Sequence, residues 1–173
     1  MGHHNIEKKL VSASQVVMTE LVLPTHINAL DTIFGGVVMS WIDIAGAICA
    51  QRHSNKAVVT ASIDQLNFIA PIKKGWVVNL KASVNFTSRT SMEIGVRVDA
   101  ENPVTSEHFH TASAYMTFVA LDSYGKPCPV PGLEISNETE TRRFEKAKQR
   151  REQRLQNRQR DEAETFKNTS KSQ

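Results

Sequence analysis

Residues 33–51 read I-F-G-G-V-V-M-S-W-I-D-I-A-G-A-I-C-A-Q, and the fold turns on this run. Val38, Trp41, Ile42, Ala45, Ile48 and Cys49 recur at i, i+3, i+4 and i+7, the spacing of one helical face. The other positions are mostly small or apolar too: Val37, Met39, Ser40, Ile44, Gly46 and Ala47. A helix apolar all round is buried on more than one side. The run is nearly long enough for a membrane span of about 20 residues, but it holds Asp43 and the adjacent Gly35 and Gly36. It is therefore read as a buried helix, and no membrane insertion is expected.

Outward from that helix the period changes. Upstream, residues 16–23 (V-V-M-T-E-L-V-L) are β-branched and aliphatic and stop at Pro24, which cannot donate to a ladder. A loop, residues 25–32, leads into the helix. Downstream lie four stretches of strand type, 57–72, 76–88, 91–100 and 108–121, joined by connections short enough for antiparallel neighbours. Val78, Leu80, Ala82, Val84 and Phe86 alternate, as do Ile94, Val96 and Val98, so these strands have a buried and a wetter face. One strand, one greasy helix and four strands make an α+β pattern. A single antiparallel sheet wrapped around the helix is the simplest way to cover it.

At 173 residues the chain is one compact domain, which excludes a long multidomain enzyme. Cys49 and Cys128 form neither a disulfide framework nor a zinc spacing, and this suits a reducing, cytoplasmic setting. Residues 1–9 contain no apolar run of the signal-peptide kind, so no export is expected. The net charge of +3 and pI near 9.0 hide an asymmetry: residues 1–141 carry a net −3 and residues 142–173 a net +6. The organisation expected is an N-terminal extension (1–11), a main folded domain (12–131) and a basic helical tail (132–173) with a disordered end. Residues 142–158 mix acids and Gln with the cations and interleave few aromatics, so a solvated helix on an oligomer surface is favoured over a nucleic-acid or membrane-binding segment.

Asp43 is the only strong acid or base in residues 35–50. A carboxylate is costly to bury unless hydrogen-bonded or paired, so it either lies on the least buried stripe or serves a purpose. Asn28 lies in the loop feeding the helix, and Gly35 and Gly36 leave free N–H groups at its N-terminus. A carboxylate can deprotonate water or attack an acyl carbon, an Asn amide can hold water or polarise a carbonyl, and helix N–H groups can stabilise an oxyanion. These parts suit acyl transfer to water. His26, His53, His108 and His110 offer no metal-ligand spacing, and no metal or cofactor is expected.

The segment 24–45, together with V-V-T-A-S-I-D-Q-L-N-F-I-A-P-I at 58–72, F-T-S-R-T-S-M-E-I at 86–94 and T-F-V-A-L-D-S-Y-G-K-P at 117–127, resembles the hotdog-fold acyl-CoA thioesterases. These bacterial enzymes are related to the tandem-hotdog cytosolic long-chain acyl-CoA hydrolases of animals. The resemblance covers about residues 12–160. It implies a single hotdog unit, a long central helix wrapped by a five- to six-stranded antiparallel sheet. The implied activity is hydrolysis of fatty acyl-CoA to fatty acid and CoA. By the same resemblance Asn28 and Asp43 form the catalytic pair, Thr60 holds the Asp, and the amide of Gly36 is an oxyanion donor. Arg89, Thr90 and Ser91 fall on the segment beside bound CoA. The Asn and the Asp of one site come from different hotdog units, which implies at least a homodimer and, in the usual assembly, a hexamer built as a trimer of dimers. Leu30-Asp31-Thr32 departs from the family, whose loop carries a glycine here. Two alternatives remain open: a non-catalytic acyl-CoA or nucleotide sensor, and a hotdog dehydratase, which the absence of His between His26 and His53 disfavours.

Overall fold

The computed structural model describes residues 7–169 and, in the last helix, side chains as far as residue 160. The disordered end expected for the tail, and residues 1–6 of the N-terminus, lie outside the described residues. Strand β1 (Lys8–Leu10) leads through a 3₁₀ turn (Val11–Ser14) into β2 (Val16–Leu21). A second 3₁₀ turn (Pro24–His26) precedes helix α1 (Gly35–Ser54). Then come β3 (Ala57–Phe68), β4 (Val77–Thr87), β5 (Ser91–Asn102), β6 (Glu107–Leu121), the short β7 (Gly132–Glu134) and helix α2 (Glu138–Thr169).

Five strands form one sheet in the order β2-β4-β5-β6-β3, antiparallel throughout. β1 and β7 pair separately, in parallel. The α+β arrangement is as the sequence predicts, with five strands in the main sheet. Val78, Leu80, Ala82 and Val84 of β4, Ile94, Val96 and Val98 of β5, and Ala112, Ala114, Met116 and Phe118 of β6 are buried with Val38, Trp41, Ile42, Ala45 and Cys49 of α1 in one core. Gly46 permits the close approach, since a Cβ there would stand 3.0 Å from Phe118 Cε2. α1 ends at Asn55, whose left-handed backbone (φ 52°) returns its N–H to Gln51 O at 2.8 Å.

Three expectations need correction. α1 is not covered all round, for Met39, Ser40 and Ile44 form an open stripe on the side away from the sheet. β3 stops at Phe68 rather than residue 72, because Pro71 removes a donor and biases the residue before it. It is exposed or half-buried along its whole length, with Val59, Ile63 and Phe68 in the open, because it is an edge strand that α1 does not roof over. The basic tail is not simply solvated: the first half of α2 lies on the sheet face opposite α1. Ala147 is fully buried, Phe144 packs on Phe86 with ring centroids 5.1 Å apart, and Arg150 grips the buried Glu93 with two hydrogen bonds of 2.6 and 3.2 Å. Arg150 also stacks over Tyr115 at 3.7 Å, and Arg154 pairs with Asp64. The tail has little apolar surface, so it docks through guanidinium groups, which pattern-based reading counts as solvated.

Candidate active site

Asp43 sits eight residues into α1, on the border between its buried face and the open stripe, and is half-buried. Expectation placed this acid in a fully buried helix. Its carboxylate Oδ1 instead accepts a hydrogen bond from the Thr60 hydroxyl at 2.6 Å, on the open side of the molecule. Thr60 lies on β3, and the β3–β6 register shifts between Thr60 and Ser62. Such irregularities locally re-aim a strand's side chains.

The loop before α1 is closed by its own backbone. Ile27 bridges Ile33, Asn28 N donates to Thr32 O at 2.8 Å, and Phe34 N to His26 O at 2.8 Å. The Asn28 side-chain oxygen accepts from Leu30 N (2.8 Å), Thr32 N (3.4 Å) and the Thr32 hydroxyl (3.2 Å). All the shorter partners are donors, so the oxygen faces into the loop and the NH₂ group is what Asn28 offers outward. Asp31 takes a left-handed backbone, φ 55°, at the position where the resemblance leads one to look for glycine. Asp tolerates that region better than most residues, so the turn forms without one.

At the helix N-terminus Phe34 supplies no side-chain cap, so the first amides of α1, Gly36 N–H among them, lack an intrahelical acceptor. A cavity of about 350 Å³ opens beside them, lined by Ile33, Gly35, Phe68, Ile69, Ala70 and Ile72 among others. It is apolar. Asp43 is about 12 Å along the helix from Gly35 at 1.5 Å per residue, and no hydrogen bond joins it to Asn28 of the same chain.

Arg89, Thr90 and Ser91 form the β4–β5 turn. Ser88 N donates to Ser91 O at 2.8 Å, Ala120 N to Thr90 O at 3.0 Å, and Val130 N to Arg89 O at 3.1 Å. The turn is thus fixed by its backbone, and the Arg89 side chain is exposed. Thr60 pairs with Phe118 and Phe118 with Met92, which puts the start of β5 two strand spacings, about 10 Å, from Thr60 within the sheet. One chain therefore brings Asp43 and Thr60 together and leaves Asn28, Gly36 and the 89–91 turn apart from them.

Burial sets aside two other potentially reactive groups, Cys49 and His53. Burial pushes the Cys49 thiol up to about 12, which removes it as a nucleophile. Burial also lowers the pKa of His53, whose Nδ1 meets the Ser14 hydroxyl at 3.2 Å and whose Nε2 meets Pro131 O at 3.3 Å. It is a neutral tie between segments. Among the described residues no cluster of three or more His, Cys, Asp or Glu side chains has metal-binding geometry, and no helix is long and apolar enough to cross a membrane. The residues that sequence reasoning missed are Glu93 and Arg150, 57 positions apart, whose pairing no local pattern signals.

A long helix laid against a five-stranded antiparallel sheet, with an acid held by a strand hydroxyl, defines the class of hotdog-fold thioesterases. A family model described as the thioesterase superfamily matches residues 30–107. The uncharacterized acyl-CoA thioester hydrolase YkhA of Bacillus subtilis is 40% identical over 148 residues, covering 86% of each chain. This chain belongs to that acyl-CoA thioester hydrolase family. The rat cytosolic acyl coenzyme A thioester hydrolase is 41% identical over 148 residues, 84% of this chain, and this chain spans 39% of its length. Among solved structures, an apo-hexameric acyl-CoA thioesterase superposes with a TM-score of 0.85 at 43% identity, over 88% of this chain and 97% of that one. The acyl-CoA hydrolase of Staphylococcus aureus, in complex with butyryl coenzyme A, coenzyme A and coenzyme A disulfide, gives 0.84 at 36%, over 90% and 95%. That enzyme has also been solved with an asparagine, an aspartate or a threonine changed to alanine.

Proposed function

We propose that this protein hydrolyses acyl-CoA: water adds to the thioester carbonyl, the C–S bond breaks, and a carboxylic acid and CoA thiol leave. The observation that carries the reading is the 2.6 Å bond from Thr60 to Asp43, which holds one carboxylate oxygen and leaves the other free to act. Asp43 takes the proton of the attacking water, or itself attacks the acyl carbon; both routes use the same free oxygen. Asn28 acts as a donor, since its oxygen is engaged within the loop, and its NH₂ together with Gly36 N–H stabilises the oxyanion. Arg89, Thr90 and Ser91 meet the CoA moiety, the arginine fork matching its phosphates. The apolar cavity beside Gly35 suits a fatty acyl chain. The names of the relatives, which are thioester hydrolases, and the CoA complexes of the Staphylococcus enzyme support the same substrate class.

Asn28 reaches Asp43 from a second copy of the chain, and the site is complete in a homodimer. Two surfaces support this: the open stripe with Met39 and Ile44 on α1, and the unpaired edge of the 12-residue β3 with Val59, Ile63 and Phe68. An apolar helix face beside an open strand edge is the kind of surface a second copy covers. Three such dimers form a hexamer, in keeping with the hexameric relative. A cytoplasmic location fits the name of the rat relative. The catalytic unit is residues 12–131, with residues 132–173 as an accessory segment that carries α2.

Replacing Asp43 by Asn keeps the shape and the Thr60 contact but removes the base. It is expected to lower kcat by at least a thousandfold while acyl-CoA still binds, measured by thiol release and by equilibrium titration. Near wild-type turnover in Asp43→Asn would sink the assignment.

A further inference from the structure

On the sheet face opposite α1, a cleft of about 470 Å³ separates the start of α2 from β4, β5 and β6. Five cations line it: Lys81 and Arg97 from the sheet, and Arg142, Arg143 and Lys146 from the helix. Among the described residues no carboxylate does. Asp99 lies to one side and is shared by Arg97 (2.8 and 2.9 Å) and Lys81 (3.9 Å), and Arg143 is near Glu140. Among the described residues, Arg142 and Lys146 have no ionic partner.

The periodicity of α2 explains how this arises. Arg142, Lys146, Arg150 and Arg154 are four apart and share one stripe. The last two meet carboxylates, Glu93 and Asp64. One turn before Arg150, about 6 Å along the helix, stands Lys146. Two residues along β5 from Glu93, about 7 Å, stands Gly95. There the sheet offers no acid. Gly95 pairs with Ser83, and a Cβ on Gly95 would come within 2.5 Å of Asn85 Nδ2, so the floor is bare of side chain at that point and flanked by an amide. Ser83 is more than nine-tenths buried and lines the cleft, and its hydroxyl has no hydrogen-bond partner. Buried polar groups without partners are rare in folded proteins, and like charges held together repel. The uncompensated positive charge calls for an anion.

We propose that this cleft is a binding site for a small molecule bearing two or more phosphate groups, separate from the Asp43 centre. Phosphate matches the observations better than a single carboxylate. Several cations exceed what one negative charge would balance, arginine forks fit phosphate oxygens, and the volume accepts a molecule of nucleoside diphosphate size. The ligand has two possible sources with the same chemistry: the 3′-phospho-ADP end of a CoA molecule, or an independent phosphorylated metabolite.

The test is calorimetric titration of the full chain with pyrophosphate and with ADP. Saturable binding in the submillimolar range, weakening with salt, is expected. R142E/K146E is expected to bind both at least tenfold more weakly with unchanged circular dichroism and oligomeric mass. Absence of saturable binding at millimolar probe, or equal binding by R142E/K146E, overturns the proposal. Two further readouts distinguish the sources. If CoA is the source, CoA competes with pyrophosphate at the cleft and R142E/K146E raises KM for acyl-CoA but not for an acyl-pantetheine thioester. If the ligand is independent, pyrophosphate still binds in saturating CoA and KM is unchanged. Binding is read without turnover, so failure here is distinct from failure of the hydrolase reading.

Discussion

Thr60→Val replaces a hydroxyl by a methyl of nearly the same size and removes one bond, the 2.6 Å donation to Asp43 Oδ1. A hydrogen bond to a charged group is worth roughly 1.5–3 kcal/mol. If the bond serves to hold Asp43 in its reactive rotamer, its loss is paid in the transition state, where misplacement is most costly. At about 1.4 kcal/mol per tenfold, kcat is expected to fall roughly ten- to a hundredfold. Thr60 is exposed on an edge strand, so stability should change little, by about 0.5 kcal/mol or less. The assay is steady-state hydrolysis of an acyl-CoA followed by thiol release, with kcat and KM resolved separately. Thr60→Ser keeps the hydroxyl and should recover most of the rate. A Thr60→Val enzyme with kcat within twofold of wild type, or one whose whole loss lies in KM, refutes the view that this threonine positions the carboxylate.

Three further outcomes are expected. Arg150→Ala leaves Glu93, 3% exposed, without its cation; breaking a buried pair costs about 3–5 kcal/mol, so calorimetry should show Tm lower by roughly ten degrees or more. The double change Glu93→Gln, Arg150→Met should restore much of it. Burial depresses the His53 pKa, so below about pH 6.5 the unfolded chain binds a proton that the folded chain refuses, and stability is lost as pH falls from there toward the folded value. Urea unfolding at pH 7.5 and 5.5 should show a smaller drop in His53→Gln than in wild type. Asp31→Val forces a β-branched residue into the left-handed region and should cost about 1–2 kcal/mol, whereas Asp31→Gly should stay within about 0.5 kcal/mol, both read by urea unfolding.

Much of this molecule is local in origin and so was legible. The i, i+3, i+4, i+7 spacing of Val38, Trp41, Ile42 and Ala45 gave α1, and the alternation of Val78, Leu80, Ala82 and Val84 gave β4, because each pattern reports a single face. Asp43 stood out for being charged among apolar neighbours. Its partner did not: Thr60 is one of three hydroxyl residues between positions 54 and 62, and only the resemblance singled it out. What failed was the inference from all-round apolarity to burial within one chain. An apolar face says that something covers it, not what, and for Met39 and Ile44 the cover is absent from the protomer. The loop glycine failed in the other direction, since Asp31 adopts the required backbone without being one.

The tail shows why net charge is a poor guide to what a basic segment touches. Its cations repeat every fourth residue from Arg142 to Arg154, which presents them together on one side of α2, and the sheet beneath decides what becomes of each. Over Glu93 and Asp64 they become internal ion pairs that dock the helix and tie it to β5 and to β3, the strand that carries Thr60. Over Ser83 and Gly95 the same stripe meets no acid and stays uncompensated. A helix that was merely solvated would have no reason to align its charges with sheet carboxylates, and one that served only to dock would have no reason to extend the stripe past them. The two halves of the stripe therefore have separate explanations. The paired half answers to stability and the unpaired half to a ligand, so charge reversal at Arg142 and Lys146 and truncation at Arg150 act on different properties of the protein.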